Sequence, residues 1–493
     1  MSDSEYTEAL REIRTERMAK KDALEHEGVS AYPAKSARTH SLQEAREAFP
    51  ELERTGSSLT VAGRVMAVRE HGGSIFIDLY DGTASLQGYL KEDALHDVFA
   101  KFSKTVDRGD FVELTGTAFT TKRGEPSVLA AAWTLLTKSL LPMPTEHFGI
   151  KDEDERYRKR YLDILLNKEI AERIKRRSAF WNAARGFLLE RGFIEVETPV
   201  LETTPGGAEA QPFVTHHNAL DIDVYLRISA GELWQKKLMV AGIPKTFEIG
   251  RIFRNEGMSH EHLQDYTQLE FYQAYNDFTA GQALVKDLYL HLATTAFGTT
   301  VFTVRDHTFD LAGTWHAYDF STIIKDAYGF DPREGNEKEA LSALEKSGIA
   351  YSKDKPMNLE RAVDLLWKKC RVQLSGPGFL TNVPVYLEPL AKRSSTDPRV
   401  VERFQVILAG SEVGKGFSEL NDPVDQAGRF ARQEELRKAG DDEAQFADTE
   451  YVEALEYGMP PTFGFGVSER LFSFLAGVSV REGQIFPLMR PKE

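Results

Sequence analysis

A single cysteine, Cys370, stands among 493 residues. No intrachain disulfide and no multi-thiolate metal site can form, nothing argues for an oxidising compartment, and the residue reads as a small buried hydrophobe. Long apolar runs are also missing. The most apolar stretch, Ser127 to Leu141, is interrupted by Trp133, Thr134, Thr137 and Lys138, and it falls short of the ~20 residues a spanning helix needs. The amino-terminal MSDSEYTEALREIRTERM carries charge throughout and lacks the apolar centre of a secretory signal. A cytoplasmic protein with no membrane partner is expected. Net positive charge is absent too: 61 Lys and Arg against 76 Asp and Glu give −15. That balance excludes general affinity for nucleic acid but allows a local patch, and one candidate runs through Arg156, Arg158, Lys159, Arg160, Lys168, Arg173, Lys175, Arg176 and Arg177.

What is present is ordinary globular composition, 41% hydrophobic and 28% charged, with length for roughly three units at ~150 residues each. Residues 5–27 alternate basic and acidic side chains and predict an exposed helix with a solvated face. From Leu59 the hydrophobic period becomes two. Strands are expected at 59–69, 74–80, 84–90, 111–119 and 127–134, with turns at Gly72-Gly73 and Asp81-Gly82 and a helix over 93–102. Five strands and one helix in this order fit a small barrel of the OB type, whose outer face can bind single-stranded nucleic acid. Phe76 could stack a base there, and Gln87, Arg64 and Arg69 could meet base edges and phosphates; aromatics at alternate strand positions are more often core. The segments are a lead-in at 1–55, the barrel at 56–140, a linker at 141–157 and a second domain at 158–493. Within the last, helical periodicity runs from Leu162 to Arg191 and a mainly helical insertion is expected around 316–395.

Familiar nucleotide motifs fail in that second domain. Gly464-Phe-Gly466-Val-Ser-Glu469 lacks the third glycine of a dinucleotide fingerprint, and Gly410-Ser-Glu-Val-Gly414-Lys415-Gly416 is one residue short of a P-loop and lacks its Ser/Thr. His260-Glu-His262 has no third ligand nearby and reads as polar contacts. The better signal is charge inside strand-like sequence: Arg254 and Glu256, then Glu270 and Tyr272, then Glu412 and Glu419, with Arg470 opening an apolar helix. Charges rarely enter strand interiors without partners, so this pattern suggests either a polar site laid across an antiparallel sheet or an ion-pair network. Carboxylates with arginines can hold a metal-bound triphosphate, and acids beside a phenol can receive an ammonium.

On these residues the chain resembles the class II aminoacyl-tRNA synthetases, and among them the bacterial-type lysyl enzymes, over nearly its whole length. The resemblance is carried by Arg156-Tyr-Arg-Lys-Arg-Tyr-Leu-Asp163, Gly192-Phe-Ile-Glu-Val-Glu-Thr-Pro199 as motif 1, Pro205-Gly-Gly-Ala and Thr215-His-His-Asn-Ala-Leu-Asp221. Phe253-Arg-Asn-Glu-Gly257 matches motif 2. Gly416-Phe-Ser-Glu-Leu-Asn-Asp422 follows, and Gly458-Met-Pro-Pro-Thr462 leads to Glu469-Arg470 as motif 3.

The resemblance implies an α+β fold, a five-stranded OB-type barrel followed by a class II catalytic domain built on an antiparallel sheet flanked by helices. It implies activation of L-lysine by ATP with Mg2+, no organic cofactor, transfer to the 3′ end of tRNA(Lys), and a homodimer. Arg254 would bind the α-phosphate and the lysine carboxylate; Glu256 and His262 would hold the adenylate and its loop. Tyr266 would stack on adenine and Arg470 meet the γ-phosphate. Glu412 and Glu419 would serve magnesium. Gly207 and Glu232 would receive the α-amino group, and Glu270, Tyr272 and Glu419 the ε-ammonium, with Phe417 along the methylene stem. Phe76, Gln87, Arg64 and Arg69 would contact the anticodon.

The chain departs from the family pattern at four places: Gln405 for a metal-binding Glu, Lys415 for an Asn near the substrate carboxylate, Glu261 for a motif 2 arginine, and a motif 3 one residue short. A paralogue charging another amino acid or acceptor, and a non-catalytic RNA-binding regulator on the same scaffold, are the alternative readings.

Overall fold

The computed structural model describes residues 7–144, 152–257, 259–351, 357–440 and 444–491. The chain forms two compact units, Met1–Lys151 and Asp152–Glu493. The central part of the expected linker, 145–151, lies outside the described residues, and from Glu153 to Arg158 the chain is already helical.

In the first unit, strands β1 (Ser58–His71), β2 (Ser74–Tyr80), β3 (Ser85–Lys91), β4 (Phe111–Thr120) and β5 (Pro126–Thr137) close into a barrel in the order β1-β2-β3-β5-β4. The period of two is explicit in β2, where Ile75, Ile77 and Leu79 are buried while Phe76, Asp78 and Tyr80 face outward. The helix Glu8–His26 departs from the expected solvated helix. Arg17 is buried, donating to the carbonyls of Ser139 (2.9 Å) and Leu141 (3.0 Å), and Lys20 pairs with Asp107 at 2.8 Å. Arg17 and Lys20 therefore dock the helix against the segment that follows β5 and the loop before β4.

The second unit is organised by an eight-stranded sheet. Its strands are β6 (Ile194–Glu195), β7 (Lys245–Phe253), β8 (Asp265–Ala274), β9 (His316–Asp319), β10 (Gly378–Thr381), β11 (Arg403–Leu408), β12 (Ser411–Ser418) and β13 (Thr462–Ser468). They run in the order β9-β10-β11-β12-β13-β8-β7-β6, antiparallel except at the two outermost pairings. Leu269, Phe271, Phe463, Phe465, Val467 and Phe404 point to one face and pack on the helices Lys168–Leu189 and Phe278–Phe297. Alternation then leaves Glu270, Tyr272, Gly464 and Gly466 on the opposite face.

Three expectations change in detail. The helical stretch expected over 162–191 breaks at Asn167, whose extended backbone ends one helix at Leu166 and begins another at Lys168. The insertion around 316–395 contributes β9 and β10 to the main sheet and carries the helices Phe320–Tyr328, Glu337–Ser347 and Leu359–Cys370 between them. Cys370 is half-buried against that helical cluster, because it lies at the last turn of its helix.

Candidate active site

The sheet's open face forms the floor of a cavity of about 400 Å³. Arg254, Glu256, His262, Tyr266, Glu412 and Arg470 line one end of it, and Gly207, Glu232, Glu270, Tyr272, Phe417 and Glu419 the other. Sheet register brings these separate sequence segments together. On β13, Gly464 sits between Tyr272 of β8 and Phe417 of β12, and Gly466 between Glu270 and Lys415. A methyl group on Gly464 would overlap Glu419 Oε1 and come within 2.5 Å of the Tyr272 ring. The glycines that fail as a dinucleotide motif thus keep the floor of this cavity open. Gly207 approaches from above with φ +84°, where a Cβ would lie 2.6 Å from both Glu232 Cβ and Ser229 Oγ.

The second of these groups is strongly acidic and buried. Glu270 is 3% exposed and Glu419 1%. Glu270 accepts from the Ala230 N–H (2.8 Å) and the Tyr272 hydroxyl (3.1 Å). Burial, with the charge of Glu232, pushes its carboxyl up to about 7. Burial likewise raises Glu419 to about 8 against the opposing pull of Lys236. Lys236 is the member that sequence reasoning misses. It is fully buried, pairs with Glu232 at 2.8 Å and with Glu419, and faces the rings of Phe417 (5.3 Å), Tyr451 (5.9 Å) and Tyr272 (6.0 Å). Its i,i+4 spacing from Glu232 on the helix Glu232–Val240 was the available signal. Glu232 and Glu419 share this one ammonium, while Glu270 has no cationic partner of its own among the described residues.

The other end is looser. Strand β7 ends at Phe253, so Arg254 and Glu256 stand on the following loop instead of inside a strand, and Glu256 is exposed. Arg254 donates from Nε to the Ile228 carbonyl at 3.3 Å and lies 5.8 Å from the Tyr266 ring centre. His262 Nδ1 is 2.8 Å from Ser259 Oγ. Arg470 pairs with Glu261, which also receives Arg305 at 2.6 Å. Glu412 accepts from Trp367 Nε1 at 2.7 Å. Gln405 accepts from Arg403 at 2.5 Å. Lys415 lies beside Gln405 in register and pairs with Glu388 at 3.4 Å, leaving Glu412 and Glu419 alone.

In the basic run at 156–177, Arg156 and Arg160 bond the nearby Asp163, Arg160 and Arg173 bond Glu482, and Arg177 bonds Glu469, the last two carboxylates being distant in sequence. That network braces Glu469 behind Arg470.

On the barrel, Phe76 stacks on Tyr89 with ring centres 4.4 Å apart and planes 5° from parallel, and Phe119 extends the group at 5.5 Å from Tyr89. Tyr89 and Phe119 went unnoticed in sequence because strand aromatics are usually core. Arg69 lies opposite Phe76 and pairs with Asp78 at 2.6 Å, next to Gln87, which accepts from Ser127 Oγ. Arg64 is separate from them, bonded to the Gly109 carbonyl (3.1 Å) and 4.3 Å from the Phe111 ring centre.

A family model described as tRNA synthetases class II (D, K and N) matches residues 152–490, and one described as an OB-fold nucleic acid binding domain matches 59–136. The chain is 40% identical over 490 residues to a lysine-tRNA ligase of Thermosipho africanus, covering 98% of this chain and 97% of that protein. It is 39% identical over 491 residues to the Thermotoga maritima ligase, with 98% and 97% covered. The Moorella thermoacetica ligase is 40% identical over 491 residues, with 99% of each chain covered.

Proposed function

The chain belongs to the class II tRNA synthetases of the D, K and N group, and from that premise we propose that its cavity holds L-lysine at the carboxylate end and ATP at the arginine end. The protein activates L-lysine with ATP and charges tRNA(Lys). One observation carries the substrate choice: Glu232 and Glu419 share a single buried ammonium, and Glu270 is buried beside Glu232 with no cationic partner among the described residues. A side-chain carboxylate or amide, as in aspartate or asparagine, would meet uncompensated negative charge there, whereas an ammonium relieves it.

Gly207 and Glu232 take the α-amino group, Glu270 and Glu419 with the Tyr272 hydroxyl the ε-ammonium, and Phe417 the methylene stem. Arg254 then bridges the lysine carboxylate and the α-phosphate. A carboxylate oxygen attacks the α-phosphorus, the bond to the β-phosphate oxygen breaks, and pyrophosphate leaves in line. No enzyme nucleophile takes part, so the rate comes from positioning and from charge neutralisation by Arg254 and Arg470. Tyr266 stacks on adenine, with Glu256 and His262 holding the loop over the adenylate. The 3′-terminal ribose hydroxyl of tRNA then attacks the lysyl carbonyl and AMP departs.

Among the described residues no group of three or more His, Cys, Asp or Glu is placed to hold a metal by itself. Mg2+ commonly takes only one or two protein carboxylates and fills its shell with phosphate oxygens and water. Glu412 fits that role; Glu419 is engaged by Lys236 and faces the amino-acid end, and Gln405 carries no charge. The metal would supply charge neutralisation on the triphosphate.

The Phe76-Tyr89-Phe119 group is a platform for anticodon bases, with Gln87 and Arg69 at its edge; Arg64 serves only if it leaves Gly109. A second copy of the chain covers the apolar side chains that motif 1 and its neighbours leave exposed, Leu189, Ile194, Val200, Leu201, Val214 and Leu220. No helix among the described residues is long and apolar enough to cross a membrane, and with tRNA as acceptor we place the protein in the cytoplasm as a homodimer. Pyrophosphate exchange across the twenty amino acids tests the reading: lysine alone should support it. Exchange with another amino acid and not lysine would refute it, and sedimentation of an active monomer would refute the dimer.

A further inference from the structure

We infer that Glu261 occupies the seat of ATP's terminal phosphate and that Arg305, outside every motif of the family, binds that phosphate once the carboxylate yields. The inference rests on the reading of Arg470 as a γ-phosphate ligand. Both oxygens of Glu261 are engaged by guanidinium groups, Oε2 by Arg470 and Oε1 by Arg305 at 2.6 Å. Arg371, on the turn that follows the helix Leu359–Cys370, stands close enough for its charge to act on both Glu261 and Arg470. Glu412 is the second carboxylate whose charge reaches Arg470, so three guanidinium groups face two carboxylates and one positive charge is left in excess. The Nε atoms of Arg371 and Arg470 are buried without a hydrogen-bond acceptor among the described residues. Buried donors of this kind are costly unless an acceptor arrives.

A terminal phosphate meets that need better than a carboxylate does. It brings more charge and three tetrahedrally arranged oxygens, against two in a plane, and guanidinium groups bind it through paired hydrogen bonds. Arg305 reaches the cluster from the hairpin formed by Val301–Val304 and His307–Asp310, where it adopts φ 54° at the turn. The resemblance places an arginine at position 261. Here the chain has a carboxylate there and a guanidinium arriving from elsewhere, so the cationic contact returns on a different element. Glu261 then acts as an internal competitor that ATP must displace.

The test uses the full-length protein, titrated calorimetrically with the α,β-methylene analogue of ATP and, separately, with a non-hydrolysable lysyl-adenylate analogue that lacks β- and γ-phosphates. Glu261→Gln should tighten the ATP analogue by about tenfold, the scale of one charge-assisted hydrogen bond no longer contested. Arg305→Gln should weaken it about fivefold on the same scale. Neither should change binding of the adenylate analogue, which also certifies that the variants are folded. Weaker or unchanged binding of the ATP analogue in Glu261→Gln would make Glu261 a brace for Arg470 and overturn the inference, as would unchanged binding in Arg305→Gln. If the unaltered protein bound neither compound, the ATP-site reading itself would fail first and take this one with it.

Discussion

At the lysine end of the cavity the charged side chains stand on or beside elements whose neighbours hold them in place: Glu270 on β8, Glu232 on a helix, and Glu419 one residue past β12. At the phosphate end Arg254, Glu256, Glu261 and His262 share one loop, Arg470 opens a short helix, and Arg305 and Arg371 come from a hairpin and from the turn after an inserted helix. On the proposed reading the first end discriminates among amino acids by buried charge and cannot adjust cheaply. The second would grip a polyanion common to many enzymes, and several geometries of guanidinium groups would serve. Of the departures read from the family pattern, Glu261 and the half-exposed Lys415 fall where adjustment is cheap, whereas Gln405 is buried against Arg403; the three carboxylates of the lysine end are kept.

The strongest way to break this contrast is to remove the internal cation. Lys236→Met would strand Glu232 and Glu419, and urea denaturation should show a loss of about 3–5 kcal/mol, the usual cost of breaking a buried pair from one side. A loss below about 1 kcal/mol, the range of exposed pairs, would mean the site is wetter than described.

Next in size comes the floor. Gly464→Ala forces a methyl into Glu419 and Tyr272, and overpacking of about 2–3 kcal/mol should raise the lysine KM by more than tenfold while leaving the ATP KM nearly unchanged. Gly466→Ala places its methyl 3.4 Å from Glu270 Cγ, an ordinary contact, and should be tolerated. Equal effects from the two would undo the assignment of Gly464.

The pH dependence separates the ends without mutation. Carboxyl groups raised to about 7 and about 8 are protonated at lower pH and must ionise to receive an ammonium. The lysine KM should therefore rise as pH falls below 8 and climb steeply below 7. Burial raises Glu261, but Arg470, Arg305 and Arg371 outweigh it and hold that carboxyl below its ordinary range, so the ATP KM should stay flat between pH 6 and 8. Matching profiles for the two substrates would contradict this.

The contrast also marks what was readable beforehand. Period-two runs located the five barrel strands to within a few residues, because alternation records which face is buried. Glu270, Tyr272 and Glu419 were legible as polar side chains embedded in strand-like sequence, whereas Gly464 was read only as part of a failed dinucleotide motif. Lys236 was hidden because a lysine on a helix normally points to water, and only the fold shows that this helix face is internal. The basic run at 156–177 misled in the opposite direction, since its acidic partners Glu469 and Glu482 lie some 300 residues away in sequence. Arg305 gave no signal at all, because a hairpin arginine resembles any other exposed charge.

The smallest effect belongs to Lys415. Its ammonium is 46% exposed and pairs with Glu388 across 3.4 Å, a contact of the kind that contributes about 0–1 kcal/mol. Lys415→Asn should change the lysine KM by less than about threefold, whereas a tenfold change would place this ammonium on the substrate.

The most direct test of the account compares lysine with norleucine, which keeps the methylene stem and lacks the ε-ammonium, in pyrophosphate exchange by the unaltered protein. A site built to bond a charged group leaves buried carboxylates unpaired when that group is missing, and such sites discriminate by about 10⁴ or more. The account predicts a kcat/KM for lysine at least about a thousandfold above that for norleucine. A ratio within about tenfold, the discrimination that stem packing alone can supply, would show that the buried carboxylates do not read the ammonium and would contradict it.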